Sequence, residues 1–167
     1  MKTLRLILWR DCPRACSTCP NKSIECGSVK PFFFNEDLSG YDEIILTGGE
    51  PLMRPGLLRT VAEEIKRQTD AKVYVYSAWD GDLSFIADTL SYVDGITLSL
   101  YTWRDVSRIP ELTELIKAKG LDTRSLRINS FLAPVDADPE IWKVKYKTYL
   151  KDCPIPDHEE LREISWF

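Results

Sequence analysis

Short apolar runs of strand length recur along this 167-residue chain with helical stripes between them, and that alternation restricts the folds open to it. The runs are Leu4 to Trp9, Glu43 to Leu46, Val73 to Tyr76, Gly95 to Leu100 and Arg124 to Phe131, each with β-branched or aromatic content. Pro55 suits a first helical position, and Leu57, Leu58, Val61 and Ile65 then form one apolar stripe. Pro110 opens a second helix in which Leu112, Leu115 and Ile116 share a face, with Gly120 placed to close it. Asp138 and Pro139 start a third expected helix, carrying Trp142, Tyr146, Tyr149 and Leu150. Strand alternating with helix implies parallel pairing through right-handed crossovers, hence an α/β architecture. A closed eight-fold barrel needs about 250 residues. The expected form is therefore a partial, open parallel β/α barrel of about five or six strands, or a short parallel sheet. In either, functional groups belong on the loops after the carboxyl ends of the strands.

The chain is 44% hydrophobic and 11% aromatic, enough for one core, and a single unit over residues 1–167 is expected, with a separate tail at 153–167 as an option. Its net charge is −4 with scattered basic residues, so no electrostatic footprint for nucleic acid or an anionic membrane surface is visible. The apolar run at the amino terminus is interrupted by Arg5, ends at Arg10 and Asp11, and is followed by no small-residue cleavage site. No stretch approaches the roughly 20 apolar residues of a membrane helix. The reading is a cytoplasmic protein.

Four of the five cysteines, Cys12, Cys16, Cys19 and Cys26, crowd the first part of the chain, while Cys153 stands apart. In a reducing compartment such a cluster suggests metal rather than disulfides. Cys12, Cys16 and Cys19 form a C-x3-C-x2-C pattern directly after the first expected strand, and thiolates on so short a loop can converge on one inorganic centre. Three protein ligands on a 4Fe-4S cube leave one iron open to a small molecule, unlike an electron-transfer cluster closed by four cysteines. A structural zinc site using Cys12, Cys16, Cys19 and Cys26 is the alternative. Cys26 and Cys153 receive no role in the first reading.

After the second expected strand stands Thr47-Gly48-Gly49-Glu50-Pro51-Leu52. Two glycines at a strand terminus permit positive backbone angles and close approach to a ligand, and a carboxylate beside them can bind a cationic amine. By itself such a turn is common.

The cysteine loop after strand one and the Gly-Gly-Glu-Pro turn after strand two, in that order, resemble the radical S-adenosylmethionine superfamily. The likeness covers roughly the first 130 residues if the strand pattern is counted, and its specific motifs lie within the first third. It implies that Cys12, Cys16 and Cys19 hold a 4Fe-4S cluster, and that Gly48, Gly49, Glu50 and Pro51 bind the methionine amino group of S-adenosylmethionine. By position, Ser77, Ser99 and Asn129 are the candidates for the ribose or carboxylate of that cofactor.

The family usually has an aromatic residue immediately before the third cysteine, and this chain has Thr18. A non-aromatic residue there, followed by Cys19-Pro20-Asn21, is similar to small activating enzymes that install a glycyl radical on a large partner, such as the anaerobic ribonucleotide reductase activase. The implied partners are a large glycyl-radical enzyme and an electron donor such as flavodoxin or ferredoxin. The competing readings are a radical enzyme acting on a small molecule, such as a deazapurine or cofactor precursor, with Trp79, Trp103 or the tail from Cys153 to Phe167 lining its pocket, and a non-catalytic four-cysteine zinc module. The single histidine, His158, lies in a polar stretch, so a Ser-His-Asp apparatus has little support.

Overall fold

In the computed structural model, which describes residues 1–16, 19, 28–148 and 155–166, the expected alternation becomes one sheet with all its strands parallel. The strands are β1 (Thr3–Ile7), β2 (Lys30–Phe32), β3 (Glu43–Thr47), β4 (Lys72–Ser77), β5 (Gly95–Leu100), β6 (Ser125–Ser130), β7 (Trp142–Tyr146) and β8 (Glu159–Ile164). Among the described residues four α-helices connect them: α1 (Pro55–Gln68), α2 (Leu83–Thr89), α3 (Trp103–Ser107) and α4 (Ile109–Ala118). The five runs read from sequence are β1, β3, β4, β5 and β6, and α1 and α4 begin at the expected prolines to within a residue.

The strand order is β2-β8-β1-β3-β4-β5-β6-β7. From β1 through β3, β4, β5 and β6 to β7 each strand is added on the same side of the last, while β2 and β8 lie on the other side of β1. Right-handed crossovers wound in one direction put all their helices on one face of the sheet. That face is the core: in-register rows such as Leu6, Leu46, Val75, Ile96 and Leu126 are buried and cluster with Leu58, Val61 and Ile65 of α1, Ile86 of α2 and Leu112 and Ile116 of α4. The other face carries Arg5, Tyr74, Tyr76, Thr97, Ser99, Arg127 and Asn129, with Arg5 over the Tyr76 ring and Arg127 over Tyr74, each at 5.0 Å. A closed barrel would fill that interior with aliphatic layers. The order has two ends, β2 and β7, so the sheet is open, as the chain length implies.

The sheet has eight strands rather than five or six, and the difference lies in three segments. The helix expected from Asp138 is instead β7, with Trp142 buried and its indole donating to Thr113 of α4 at 2.8 Å. Trp142 and Tyr146 stand four apart, a spacing that satisfies a helical face and a strand face alike, and the alternation Trp-Lys-Val-Lys-Tyr with its β-forming residues decides for the strand. Within the stretch 153–167, residues 159–164 form β8, inserted between β1 and β2. Ion pairs hold it there: Arg5 to Glu159 at 2.6 Å, Arg10 to Glu163 at 2.7 Å and Arg162 to Glu36 at 2.7 Å. The third addition, β2, is a three-residue edge beside β8. Among the described residues no helix is long and apolar enough to cross a membrane.

Candidate functional site

The carboxyl ends of β1 and β3 are joined by backbone beyond the strands themselves. Leu8 N donates to Thr47 O at 2.9 Å, Gly49 N to Trp9 O at 2.6 Å and Glu50 N to Asp11 O at 3.0 Å, and the Trp9 indole donates to Glu50 O at 3.1 Å. The root of the cysteine loop is thereby laced onto the glycine turn. The two glycines make this possible. Gly48 has φ +123°, as a Gly-Gly turn suggests, and a Cβ there would lie 2.4 Å from Trp9 O. A Cβ on Gly49 would lie 1.9 Å from Asp11 O. The close approach these residues permit in this structure is to the chain's own backbone.

Glu50 is buried and caps the short 3-10 turn Pro51–Met53. Its carboxylate accepts from Leu52 N at 3.0 Å and Ser77 Oγ at 2.7 Å on one oxygen, and from Ala78 N at 2.9 Å on the other. Burial pushes its carboxyl up, against the pull of these donors and of the Arg14 charge. The carboxylate thus fastens the end of β3 to the end of β4. Ser77 is the other half of that fastening and lies on the helix-covered face, because it registers with Leu98. Ser99 and Asn129 are register partners of one another, half-buried, on the polar face. Of the three strand-end candidates, two come together and Ser77 faces away from them.

Cys12 is exposed, and Cys16 and Cys19 are half-buried, with Cys19 N donating to Cys16 O at 3.3 Å. Burial raises the Cys12 thiol first, and the nearby Glu50, Cys16 and Cys19 raise it further against a hydrogen bond from the Arg14 backbone. Burial also raises Cys16, opposed by the Arg14 guanidinium. Among the described residues no three His, Cys, Asp or Glu side chains are gathered closely enough to hold a metal ion. In kind, however, the donor set suits a sulfide-bridged iron centre: three soft thiols on one loop, with the Cys12 and Cys16 thiols each raised in part by their cysteine neighbours.

The residue that sequence reasoning passed over is Arg14, inside the cysteine loop. Its guanidinium makes two hydrogen bonds to Asp105, at 2.9 and 3.0 Å, and one to Ala78 O at 2.7 Å. Asp105 also accepts from the backbone of Tyr101 and Thr102, and forms a capping box with Thr102 at the start of α3. The only advance signal was the Thr102-x-x-Asp105 spacing of that box. Three strand ends, β1, β4 and β5, therefore converge on one arginine.

Beside this loop opens a cleft of about 770 Å³, lined among others by Arg14, Cys16, Asp80, Tyr101, Phe131 and Lys147. The Tyr101 and Phe131 rings stack with centroids 4.8 Å apart and planes 14° apart.

No family model, no curated protein and no solved structure matches this chain. The site is consequently read from its own residues. Trp79 stacks on Phe85 of α2 and donates to Asp82 O at 2.9 Å. Trp103 opens α3 and is 58% exposed. His158 is exposed. Thr18, Pro20, Asn21, Cys26, Cys153, Tyr149 and Leu150 lie outside the described residues.

Proposed function

We propose that this chain is a radical S-adenosylmethionine enzyme. The observation that carries the reading is the lacing of the Cys12–Cys16–Cys19 loop onto the Gly48–Pro51 turn at the carboxyl end of an open, singly wound parallel sheet. Two motifs that resemble a cluster loop and a cofactor turn are neighbours through their backbones, at the end of the sheet where α/β proteins keep their chemistry.

In this reading Cys12, Cys16 and Cys19 hold a 4Fe-4S cluster. When bound, the cluster and S-adenosylmethionine supply one-electron reductive cleavage to methionine and a 5'-deoxyadenosyl radical, which takes a hydrogen atom from the substrate. The electron comes from a donor such as flavodoxin or ferredoxin, in a cytoplasmic setting. The chain's own residues orient and shield. The Gly48–Pro51 turn receives the amino group of the cofactor, and Glu50 keeps that turn in place through Ser77 and Ala78. Arg14 holds the cysteine loop against Asp105, and Ser99 and Asn129 offer polar groups to the cofactor from the sheet face.

Two hydrogen donors suit the site. A glycine on a large partner enzyme is supported by Trp103, an exposed aromatic one residue after the cleft-lining Thr102 and of the kind that anchors protein interfaces. A small molecule, of the deazapurine or cofactor-precursor kind, is supported by the cleft, whose volume of about 770 Å³ lies in the range of ligand pockets.

The decisive experiment is anaerobic reconstitution with iron and sulfide, reduction, and addition of S-adenosylmethionine. Bound iron, acid-labile sulfide and 5'-deoxyadenosine are expected, and Cys16→Ala is expected to lose all three. Zinc bound without iron or sulfide would replace this reading with the four-cysteine zinc module.

A further inference from the structure

Charge is unevenly distributed over the sheet. The chain has an acidic excess, 26 Asp and Glu against 22 Lys and Arg, yet strands β4, β5, β6 and β7 contain no carboxylate. On their polar face Arg127 registers with Lys143 and Asn129 with Lys145. Lys147 continues the ladder, donating its backbone N–H to Ser130 O at 2.7 Å, and lines the cleft. Alternate residues on a strand stand about 6.6 Å apart on one face, so Lys143, Lys145 and Lys147 form a row of cations leading into the cleft. Among the described residues no carboxylate pairs with any of the three, whereas Arg5 and Arg10, across the same sheet, are matched by Glu159 and Glu163. Arg127 is over the Tyr74 ring and likewise has no carboxylate partner among the described residues. Unmatched cations beside a concavity concentrate anions there.

The cleft adds a second requirement. Tyr101 and Phe131 are half-buried and nearly parallel, the Arg14 guanidinium lies over the Tyr101 ring 5.8 Å from its centroid, and a further flat ring would extend this stack from Phe131. Lys147 and these rings line the same space as Cys16.

We infer that the substrate is a planar small molecule bearing phosphate or a comparable multivalent anion, its ring against Phe131 in the stack that Tyr101 backs and its anionic group on Lys147, Lys145 and Arg127. This deepens the small-molecule reading of the site and rests on it. Lysines on an edge strand also guard against aggregation, but that role calls for neither an acid-free sheet face nor a stacked aromatic pair beside the innermost lysine.

The test uses the full-length chain after anaerobic reconstitution and a fluorescent probe, N-methylanthraniloyl-ATP, read by anisotropy. Binding is expected, weakened at least about tenfold by Lys145→Glu with Lys147→Glu, and separately by Phe131→Leu, in variants whose circular dichroism matches the parent. Inorganic triphosphate should compete, and adenosine should compete more weakly. Equal binding by the charge-reversed variant overturns the inference. So does displacement of the probe by S-adenosylmethionine at its own binding concentration, which would put the probe in the cofactor's place. Binding of a polyglutamate peptide in preference to the probe also overturns it, in favour of an acidic protein partner. Failure here with 5'-deoxyadenosine still formed leaves the radical reading standing, and probe binding by a chain that takes up no iron removes that reading alone.

Discussion

Arg14, two residues after the first cysteine, grips Asp105 at the start of α3 through both oxygens of its carboxylate, 91 residues away in the chain. The pair is largely out of solvent, with 9% and 4% of the two side chains exposed. It ties the loop that carries the thiols to the loop that follows β5.

Removing either partner leaves the other buried and unmatched, at a cost of about 3 kcal/mol. Arg14→Ala is expected to lower stability by about that amount in urea unfolding. Arg14→Lys should recover only part of it, since an ammonium cannot form the forked contact while also reaching Ala78 O. Full stability in Arg14→Ala would show that the cysteine loop is held by other means.

Glu50 and Ser77 make a second such fastening. Ser77→Ala removes one donor from a buried carboxylate and should cost about 1 to 2 kcal/mol. Glu50→Ala strands three donors, Leu52 N, Ala78 N and the serine hydroxyl, and should cost more than Ser77→Ala in the same thermal or urea measurement. Equal effects of the two changes would mean that the backbone donors find other acceptors.

The two glycines of the turn differ from Gly56 in a way that can be measured. Gly49→Ala sets a methyl against Asp11 O and should cost more than about 3 kcal/mol, with increased reactivity of the three thiols toward a thiol reagent. Gly56→Ala, in the first turn of α1 with open space around it, should be neutral or stabilising by up to about 1 kcal/mol. A tolerant Gly49 would deny that the cysteine loop and the turn touch.

Acid should loosen β8 before the rest of the sheet. The Arg162 guanidinium holds the Glu36 carboxyl below its ordinary range, the Tyr41 hydroxyl does so for Glu160, and the Arg10 guanidinium for Glu163. A carboxylate depressed on folding contributes stability that is present above its ordinary value near 4.3 and lost as pH falls through the depressed one. Hydrogen exchange of the β8 amides is expected to accelerate below about pH 4 relative to those of β3 and β4. A uniform loss across all strands would contradict a docking held by charge.

The parallel α/β plan was legible in the chain because it depends on patterns of a few residues. The five apolar runs, Pro55 and Pro110 at helix starts and Gly120 after α4 all act on their own neighbourhood, and the strands and helices form there. The thiol loop and the glycine turn were legible for the same reason. At β7 the local signal was double, since Trp142 and Tyr146 fit either period, and packing of the Trp142 indole against Thr113 accompanies the strand that alternation favours. At β8, Glu-Glu-Leu-Arg-Glu-Ile has no apolar alternation to mark a strand, and its place depends on cations and a tyrosine more than 100 residues earlier.

Which residues stand at the ends of the strands is therefore written locally, in hydrophobic period and turn chemistry. Where Glu50 turns its carboxylate, which acid Arg14 meets, and which lysines are left without one are consequences of strand order and register. Those arise only when segments far apart in the chain are brought within hydrogen-bonding distance, and no short-range preference encodes them.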